Sequence, residues 1–212
     1  MWQMLSQAHE NEETATIRTK GLVATMTDRK RDATFTKLFQ MISGRSVKIL
    51  ETGTIRARSF AEGDGHSLLK FVDHIWNFGG SVISIDNNDR ACDLARQMVH
   101  EKYSREYNGG SDLVDLDQVQ VIHSDSVQFL DQHSDPIDVL YLDSGNDADL
   151  ILREAQAAMK NLHADTLILV DDVNEQTHPE VQKGSKVIPY LIENGWEIVI
   201  SEYQCLLKRV DQ

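Results

Sequence analysis

The stretch ILETGTIRARSFAEGDGHS, residues 49–67, combines the end of an apolar run with a carboxylate and three glycines. It starts as the end of an apolar run, passes Glu51 and Gly53, and reaches Gly63 and Gly65 only after a polar loop. A buried strand that ends in a carboxylate and glycines is typical of a nucleoside-binding turn. The glycine spacing does not fit the G-x-G-x-x-G dinucleotide fingerprint, which disfavours NAD binding by that route. The segment between the glycines therefore resembles an insertion in a nucleoside-binding turn.

Outward from this stretch, short apolar runs alternate with helical periods. The runs are VKIL (47–50), SVISI (81–85), VQVI (119–122), IDVLYL (137–142), TLILV (166–170), WEIVI (196–200) and QCLLK (204–208). The first five are too short for helices and too continuous for half-exposed strands, which indicates parallel strands covered on both faces. Helical periods lie between them, for example from Leu68 to Trp76 and from Ile151 to Leu162. The pattern predicts an α/β fold with a doubly wound, mostly parallel, seven-stranded sheet and an antiparallel terminal strand in a C-terminal hairpin.

Length and composition disfavour several classes of protein, among them membrane-spanning, secreted and duplex-binding proteins. The chain has 212 residues and a formal net charge of −13, which fits one domain and disfavours duplex nucleic acid as a partner. The sequence contains neither an apolar stretch long enough for a membrane span nor a secretory signal pattern. Cys92 and Cys205 are far apart and indicate neither a disulfide framework nor a zinc site. We expect a cytoplasmic protein without a membrane partner.

The segment before the first strand has a different pattern. We expect residues 1–45 to form an N-terminal helical extension and residues 46–212 to form the ligand-binding domain. Phe35, Leu38, Phe39 and Ile42 predict an amphipathic helix, preceded by the basic run DRKRD at 28–32. The simpler interpretation is a helix packed on the sheet edge with a solvated, charged start. The alternative is a lid over a ligand.

Carboxylates follow each of the first five predicted strands, where ligands bind in open parallel sheets. The strand ends read Glu51-Thr52-Gly53, Asp86-Asn87-Asn88, Ser124-Asp125-Ser126, Asp143-Ser144-Gly145-Asn146 and Asp171-Asp172-Val173-Asn174. Asp86 lies 21 residues after Gly65, near the spacing expected between a glycine turn and a ribose-binding acid. Asp86 is therefore the candidate ribose ligand, and the alternative is a cap for the helix that begins near Asp89.

Taken together, ILETGT…GDGHS, SVISIDNN, VIHSDSVQFL, DVLYLDSGND and LILVDDVN resemble the class I S-adenosylmethionine-dependent methyltransferases, across residues 47–208. The resemblance implies a Rossmann-like fold and S-adenosylmethionine as cofactor. It also implies cofactor-binding residues, with Asp86 at the ribose, Asn87 beside the adenine and Asp125 and Ser126 at the adenine amino group. The implied set is Glu51, Gly53, Gly63, Gly65, Ser67, Asp86, Asn87, Asp125, Ser126 and Asp143. Arg56 could pair with the methionine carboxylate or be a loop arginine without a role.

Within that family, the catechol O-methyltransferase-like branch binds Mg²⁺ with acids after the fourth and fifth strands. Asp143, Asp171 and Asp172 match those positions and are the implied metal ligands, with Asp143 also the candidate catalytic residue. Two observations oppose this. Adjacent strand residues face opposite sides, so Asp171 and Asp172 converge only if the strand ends between them. The branch's lysine is Asn146 here, and His178 is the candidate substitute for that base.

The sequence thus predicts a methyltransferase that acts on a hydroxyl of a small molecule such as a sugar, a phenol or a secondary metabolite. The alternatives are an N-methyltransferase and a nucleoside-binding module that has lost catalysis. No Asn-Pro-Pro-Tyr or Asp-Pro-Pro-Tyr stretch follows the fourth strand to support a nitrogen acceptor. Lys183 and Lys186 are more simply solvated than in contact with an anionic acceptor. A homodimer is compatible with the sequence, which leaves the oligomeric state open.

Overall fold

The computed structural model describes residues 30–59, 66–106, 118–175 and 181–210. The elements are α1 (Asp32–Ile42), β1 (Val47–Thr52), α2 (Ser67–Phe78), β2 (Gly80–Asp86), α3 (Asp89–Glu106), β3 (Val119–His123), α4 (Ser126–Gln132), β4 (Ile137–Leu142), α5 (Ala148–Ala158), β5 (Leu162–Val170), α6 (Gly184–Glu193), β6 (Trp196–Ser201) and β7 (Cys205–Arg209). A short 3₁₀ turn, Met159–Asn161, joins α5 to β5. The helical period placed Leu162 in the helix, but it is the first residue of β5.

The strands form one seven-stranded sheet in the order β3-β2-β1-β4-β5-β7-β6. β1 to β5 pair in parallel, and β7 is antiparallel to both β5 and β6. The predicted doubly wound sheet and its C-terminal hairpin are therefore confirmed. The strand order reverses between β1 and β4, so the crevice beyond their carboxyl ends is the expected ligand site.

Both faces of the sheet are covered, which explains the continuous apolar runs. Tyr141 and Leu169 belong to a core cluster with buried residues of α1, α2 and α3. Their neighbours Leu140 and Ile168 belong to a second cluster with buried residues of α4, α5 and α6. This is the alternation that strand geometry imposes, applied to strands that are buried on both sides.

Helix α1 packs against the same core as the sheet. The Phe35 ring lies 5.9 Å from the ring of Phe71 in α2 and 5.9 Å from that of Tyr141 in β4, measured between centroids. The described part of the N-terminal extension is therefore fixed to the sheet, while its first 29 residues lie outside the described chain. Among the described helices, none combines the length and the apolar character needed to cross a membrane.

Candidate active site

The acids that follow β4 and β5 lie at one edge because backbone pairing continues one residue beyond the strands. The Asp143 amide donates to the Thr52 carbonyl at 3.1 Å, and the Asp171 amide donates to the Leu142 carbonyl at 3.1 Å. Since the strands are parallel, their carboxyl ends meet at the same edge. The structure therefore brings the acids that follow β4 and β5 to the same edge of the sheet.

Gly53 directly follows β1 and packs against the backbone at the end of β4. Its φ is +87°, and a Cβ at this position would lie 2.3 Å from the carbonyl oxygen of Asp143. Only glycine fits so close to another backbone in this conformation. The resemblance implied that Gly53 binds the cofactor, which stays a prediction, whereas the close approach seen in the structure is between two strand ends.

Asp86 ends β2 and is almost completely buried. One carboxylate oxygen accepts the Thr54 amide at 3.1 Å, and the other accepts the Asn88 amide at 2.8 Å. The helix cap of α3 is Asn88, whose side-chain oxygen accepts the amides of Arg90 and Ala91. A carboxylate offers about four acceptor positions, so Asp86 can still accept bonds from two ribose hydroxyls. Its chemistry fits the implied cofactor.

Arg56 spans the crevice between β2 and β4. Its Nε lies 3.9 Å from Asp86 Oδ2, and its Nη2 donates to the Ser144 carbonyl at 3.0 Å. The side chain is about half exposed, so the guanidinium can also reach a carboxylate in the crevice. Arg56 therefore lies at the carboxyl edge of the sheet, and its pairing with the methionine carboxylate stays a prediction.

Glu51 is fully buried and bound by hydroxyl groups. Ser67 Oγ donates to one carboxylate oxygen at 2.9 Å, and Ser84 Oγ donates to the other at 2.6 Å. Burial raises the pKa of Glu51 to about 8, against the hydrogen bonds that lower it. Glu51 and Ser67 thus join β1 and β2 to the start of α2, and their direct contact with cofactor stays a prediction.

Of the three residues predicted to contact the adenine, two have exposed side chains and one is already hydrogen-bonded inside the protein. Asn87 and Asp125 are exposed beside one another at the ends of β2 and β3, although Asp125 also caps α4 by accepting the Gln128 amide at 2.8 Å. Ser126 Oγ instead donates to the buried carboxylate of Glu154 in α5. An exposed cap can still contact a base, whereas the Ser126 hydroxyl already has a structural partner.

Glu154 was missed in the sequence analysis. Its second carboxylate oxygen accepts Thr52 Oγ1 at 2.9 Å, so it ties α5 to the end of β1. Burial raises the pKa of this carboxyl, and the hydrogen bonds from hydroxyls oppose the rise. The available signal was its position three residues after Ile151, on the apolar stripe of the helix.

Asp143, Asp171 and Asp172 form what we call the acidic cluster. Each offers one oxygen within 4.8 Å of the others. The Asp171 amide still pairs with the Leu142 carbonyl, whereas Asp172 has a φ of +48°, so the chain leaves the extended conformation between the two residues. The condition that the sequence set for convergence of Asp171 and Asp172 is therefore met.

Two buried cations lie inside the acidic cluster. Arg31 donates to Asp171 Oδ1 at 2.9 Å, to Asp171 Oδ2 at 2.8 Å and to Asp172 Oδ1 at 2.9 Å. Lys183 Nζ lies 2.6 Å from Asp143 Oδ1 and 2.9 Å from Asp172 Oδ2. The side chains of Arg31 and Lys183 are only 11% and 3% exposed, so the expectation that both are solvated is wrong.

The cations set the protonation of the cluster. Burial and the nearby charge of Asp171 raise the pKa of Asp143 to about 7, although Lys183 opposes them. Burial would also raise the pKa of Asp171, but Arg31 outweighs it and holds that pKa at about 2. Burial alone would lower the pKa of Lys183, yet the three carboxylates keep it above its ordinary value. Lys183 is therefore a fixed ammonium.

The acidic cluster has the oxygen ligands that Mg²⁺ prefers, but its oxygens already have partners. The sixth oxygen, Asp143 Oδ2, accepts Tyr141 Oη at 3.2 Å, and Gln204 Nε2 adds a second donor to Asp171 Oδ1 at 2.9 Å. Every carboxylate oxygen of the three acids thus has a protein donor. In this arrangement the residues do not fit a metal ion.

Three of the residues singled out in the sequence lie outside the described chain. They are Gly63, Gly65 and His178. Their assignments to the cofactor and to the base stay predictions. Asn146, which replaces the expected lysine, is exposed in the loop after β4. The nearest described ammonium to Asp143 is instead Lys183, which comes from the start of α6.

Comparisons with known proteins agree with this architecture. A family model described as a methyltransferase domain matches residues 62–173, more than half of the chain. A comparison with curated protein sequences found no significant match.

Three solved structures illustrate the similarity of fold. A putative rRNA-methylase from Clostridium thermocellum has a TM-score of 0.61 at 11% identity, covering 88% of this chain and 99% of that one. The methyltransferase PaMTH1 of Podospora anserina, bound to S-adenosylhomocysteine (SAH), has 0.55 at 16%, covering 77% and 72%. MycE, a methyltransferase of the mycinamycin biosynthetic pathway in complex with Mg, SAH and mycinamycin VI, has 0.56 at 15%, covering 85% of this chain and 49% of that one.

The family model spans most of the crevice, from the approach to α2 to the turn after β5, and the sheet has the doubly wound order that the sequence resemblance implied. The chain therefore belongs to the class I S-adenosylmethionine-dependent methyltransferases.

Proposed function

We propose that the enzyme transfers the methyl group of S-adenosylmethionine to a hydroxyl group of a small molecule. The observation that carries this proposal is that the protein offers little positive charge to an anionic acceptor. The chain has a net charge of −13, and the two buried cations beside β4 and β5 are consumed in ion pairs with the acidic cluster. A nucleic acid would bring many phosphates to a surface that repels them. An uncharged small molecule meets no such barrier.

In this proposal the crevice has two ends. The cofactor end consists of Asp86, Asn87, Asp125 and Arg56, and the acceptor end is the acidic cluster. Asp86 accepts the ribose hydroxyls, Asn87 and Asp125 lie beside the adenine, and Arg56 pairs with the methionine carboxylate. Asp143 is the member of the acceptor end nearest the cofactor end, because its amide pairs with Thr52 of β1. It keeps its assignment as the catalytic residue in contact with the acceptor.

The cofactor supplies an electrophilic methyl group on a sulfonium, so the protein's main task is alignment of the acceptor oxygen with that methyl. Fixed strand ends suit this task, since Gly53 packs directly on the backbone of Asp143. The loop after β4 reads Asp-Ser-Gly-Asn and carries none of the stretches expected for a nitrogen acceptor. This favours oxygen as the acceptor atom.

A divalent metal is left out of this reaction. The MycE structure, which contains Mg, is a precedent for a metal in a similar fold. In the present chain the matching carboxylates are bound by Arg31 and Lys183. In the proposed reaction, methyl transfer therefore depends on alignment of the acceptor with the methyl group and on the fixed charges of the protein.

Calorimetric titration with S-adenosylmethionine and SAH tests the cofactor end. We expect the native chain to bind both and Asp86→Ala to lose binding. The control Asp93→Ala removes an exposed carboxylate of α3 that pairs with Arg96, and it should bind as the native chain does. Absence of binding by the native chain at high micromolar cofactor would overturn the proposal.

Transfer of a labelled methyl group tests the acceptor. The native enzyme is incubated with panels of sugars, phenols and glycosylated secondary metabolites, and in parallel with amines and ribosomal RNA. The proposal predicts label on a hydroxyl of a small molecule. Label on RNA or on nitrogen alone would contradict it.

A further inference from the structure

Every carboxylate oxygen of the acidic cluster already has a protein donor, and most of these donors belong to buried cations. Its six carboxylate oxygens accept donors from Arg31, Lys183 and Tyr141. Asp172 joins the two cations, because one of its oxygens accepts Arg31 and the other lies against Lys183. The arrangement is one continuous network rather than two separate ion pairs. A metal ion at this point would have to displace donors from several oxygens at once.

The charge that the network supplies equals that of a divalent ion. One guanidinium and one ammonium together carry two positive charges, which is the charge of one Mg²⁺. Each cation is held between two carboxylates: Arg31 donates to Asp171 and Asp172, and Lys183 lies against Asp143 and Asp172. Two positive charges thus already lie against the three carboxylates without a bound ion.

Both cations are also held by the surrounding structure. The Arg31 guanidinium lies 4.6 Å from the centre of the Tyr203 ring, which is a cation–π contact. Lys183 immediately precedes α6, where a Cβ on Gly184 would lie 2.8 Å from Val173 Cγ1. The backbone that carries Lys183 is therefore packed directly on the turn after β5. Neither cation is a mobile surface side chain that could move aside at low cost.

We propose that Arg31 and Lys183 permanently take the place of a divalent metal ion at the acceptor end, as positioning residues that hold the ends of β4 and β5 for a metal-independent methyl transfer. This inference takes from the proposed function only the identity of the reaction, methyl transfer to an acceptor at this end of the crevice. It gives the N-terminal extension a role in the site, because Arg31 directly precedes α1 and reaches Asp171 across 140 residues of sequence.

The native chain provides the first test. Mn²⁺ binding is measured by electron paramagnetic resonance, and thermal unfolding is measured in EDTA and in millimolar Mg²⁺. We expect the melting temperature to be the same in both solutions and any weak Mn²⁺ binding to be unchanged in Asp143→Asn. A single tight Mn²⁺ site that Asp143→Asn abolishes would overturn the proposal, and so would a melting temperature that Mg²⁺ raises in the native chain but not in Asp143→Asn.

The second test removes one built-in cation. Lys183→Met keeps most of the side-chain volume but leaves Asp143 and Asp172 without their ammonium. We expect this variant to have a lowered melting temperature that Mg²⁺ partly restores, together with a new Mn²⁺ site. Lys186→Met is the matched control, since Lys186 pairs with the exposed Asp149. It should show neither effect.

Rescue by Mg²⁺ distinguishes replacement of a metal from a merely structural lysine, which a dication would not rescue. A folded Lys183→Met variant that gains no Mn²⁺ site and no Mg²⁺ response would contradict the proposal. If that variant does not fold, the titration of the native chain still decides. None of these measurements needs turnover, and SAH binding is scored separately. Failure of the proposed function and failure of this inference are therefore distinguishable.

Discussion

Asp86 and Asp171 are both buried carboxylates at the same edge of the sheet, but their partners differ in kind. Asp86 accepts two neutral backbone amides, and its nearest cation, Arg56, is half exposed at 3.9 Å. Asp171 accepts hydrogen bonds from Nε and Nη2 of the buried Arg31 guanidinium and from Gln204. A carboxylate bound by neutral donors retains acceptor positions for a ligand, whereas one bound by buried cations is already neutralised. The two ends of the crevice are thus built for different tasks.

The largest effect that sharpens this comparison is loss of the ammonium at the acceptor end. Lys183→Met leaves two carboxylates facing each other in a buried site, and breaking a buried pair in this way costs about 3–5 kcal/mol. Lys186→Met breaks an exposed pair and should change stability by less than about 1 kcal/mol. Urea denaturation of both variants measures the difference. Equal effects would mean that burial does not distinguish the two lysines.

The next effect concerns the contact between the two ends. Gly53 and Gly195 both have positive φ, but only at Gly53 would a Cβ meet other atoms, namely the Asp143 carbonyl oxygen at 2.3 Å. Gly195→Ala should cost about 1 kcal/mol from backbone strain. Gly53→Ala adds overpacking of about 1–3 kcal/mol. Chemical denaturation compares the two, and similar losses would show that the strand ends can separate.

A third prediction uses the buried acid behind the cofactor end. Because the pKa of Glu51 rises from 4.5 to about 8 on folding, the unfolded chain loses this proton at lower pH than the folded chain. Stability should therefore fall as pH rises through this window. Between about pH 5 and about pH 7, Glu51 should lower the free energy of unfolding of the native chain by about 2–3 kcal/mol, and Glu51→Gln should abolish this decrease. Denaturation curves at several pH values measure it, and parallel profiles would contradict the assignment.

The smallest effect separates capping from binding at the cofactor end. Asp125 caps α4 and Asp147 caps α5, each through its side-chain carboxylate. Replacing either by Ala should cost about 1 kcal/mol of stability. Only Asp125→Ala should also weaken SAH binding, by a few-fold in calorimetry. Unchanged affinity would restrict Asp125 to the role of a cap.

The strand ends show how far sequence reasoning reached. Apolar runs predicted the bounds of six of the seven strands to within two residues, whereas β5 begins four residues before its run. Asp143, Asp171 and Asp172 could be placed together because parallel strands deliver their ends to one edge. Their partners could not be foreseen. Arg31 lies 140 residues from Asp171 and Lys183 lies 40 residues from Asp143, and each stands in a run of polar or charged residues that is typical of a solvated surface.

The alternation of elements, the order of the acidic strand ends and the resemblance to the methyltransferases can all be read from the chain's residues. Those properties follow from local periodicity and from the direction of parallel strands. Which carboxylates remain open to a ligand and which are neutralised can be seen only once the chain is folded. That distinction depends on long-range packing, because burial of Arg31 and Lys183 beside the acidic cluster requires α1 and α6 to dock on the completed sheet.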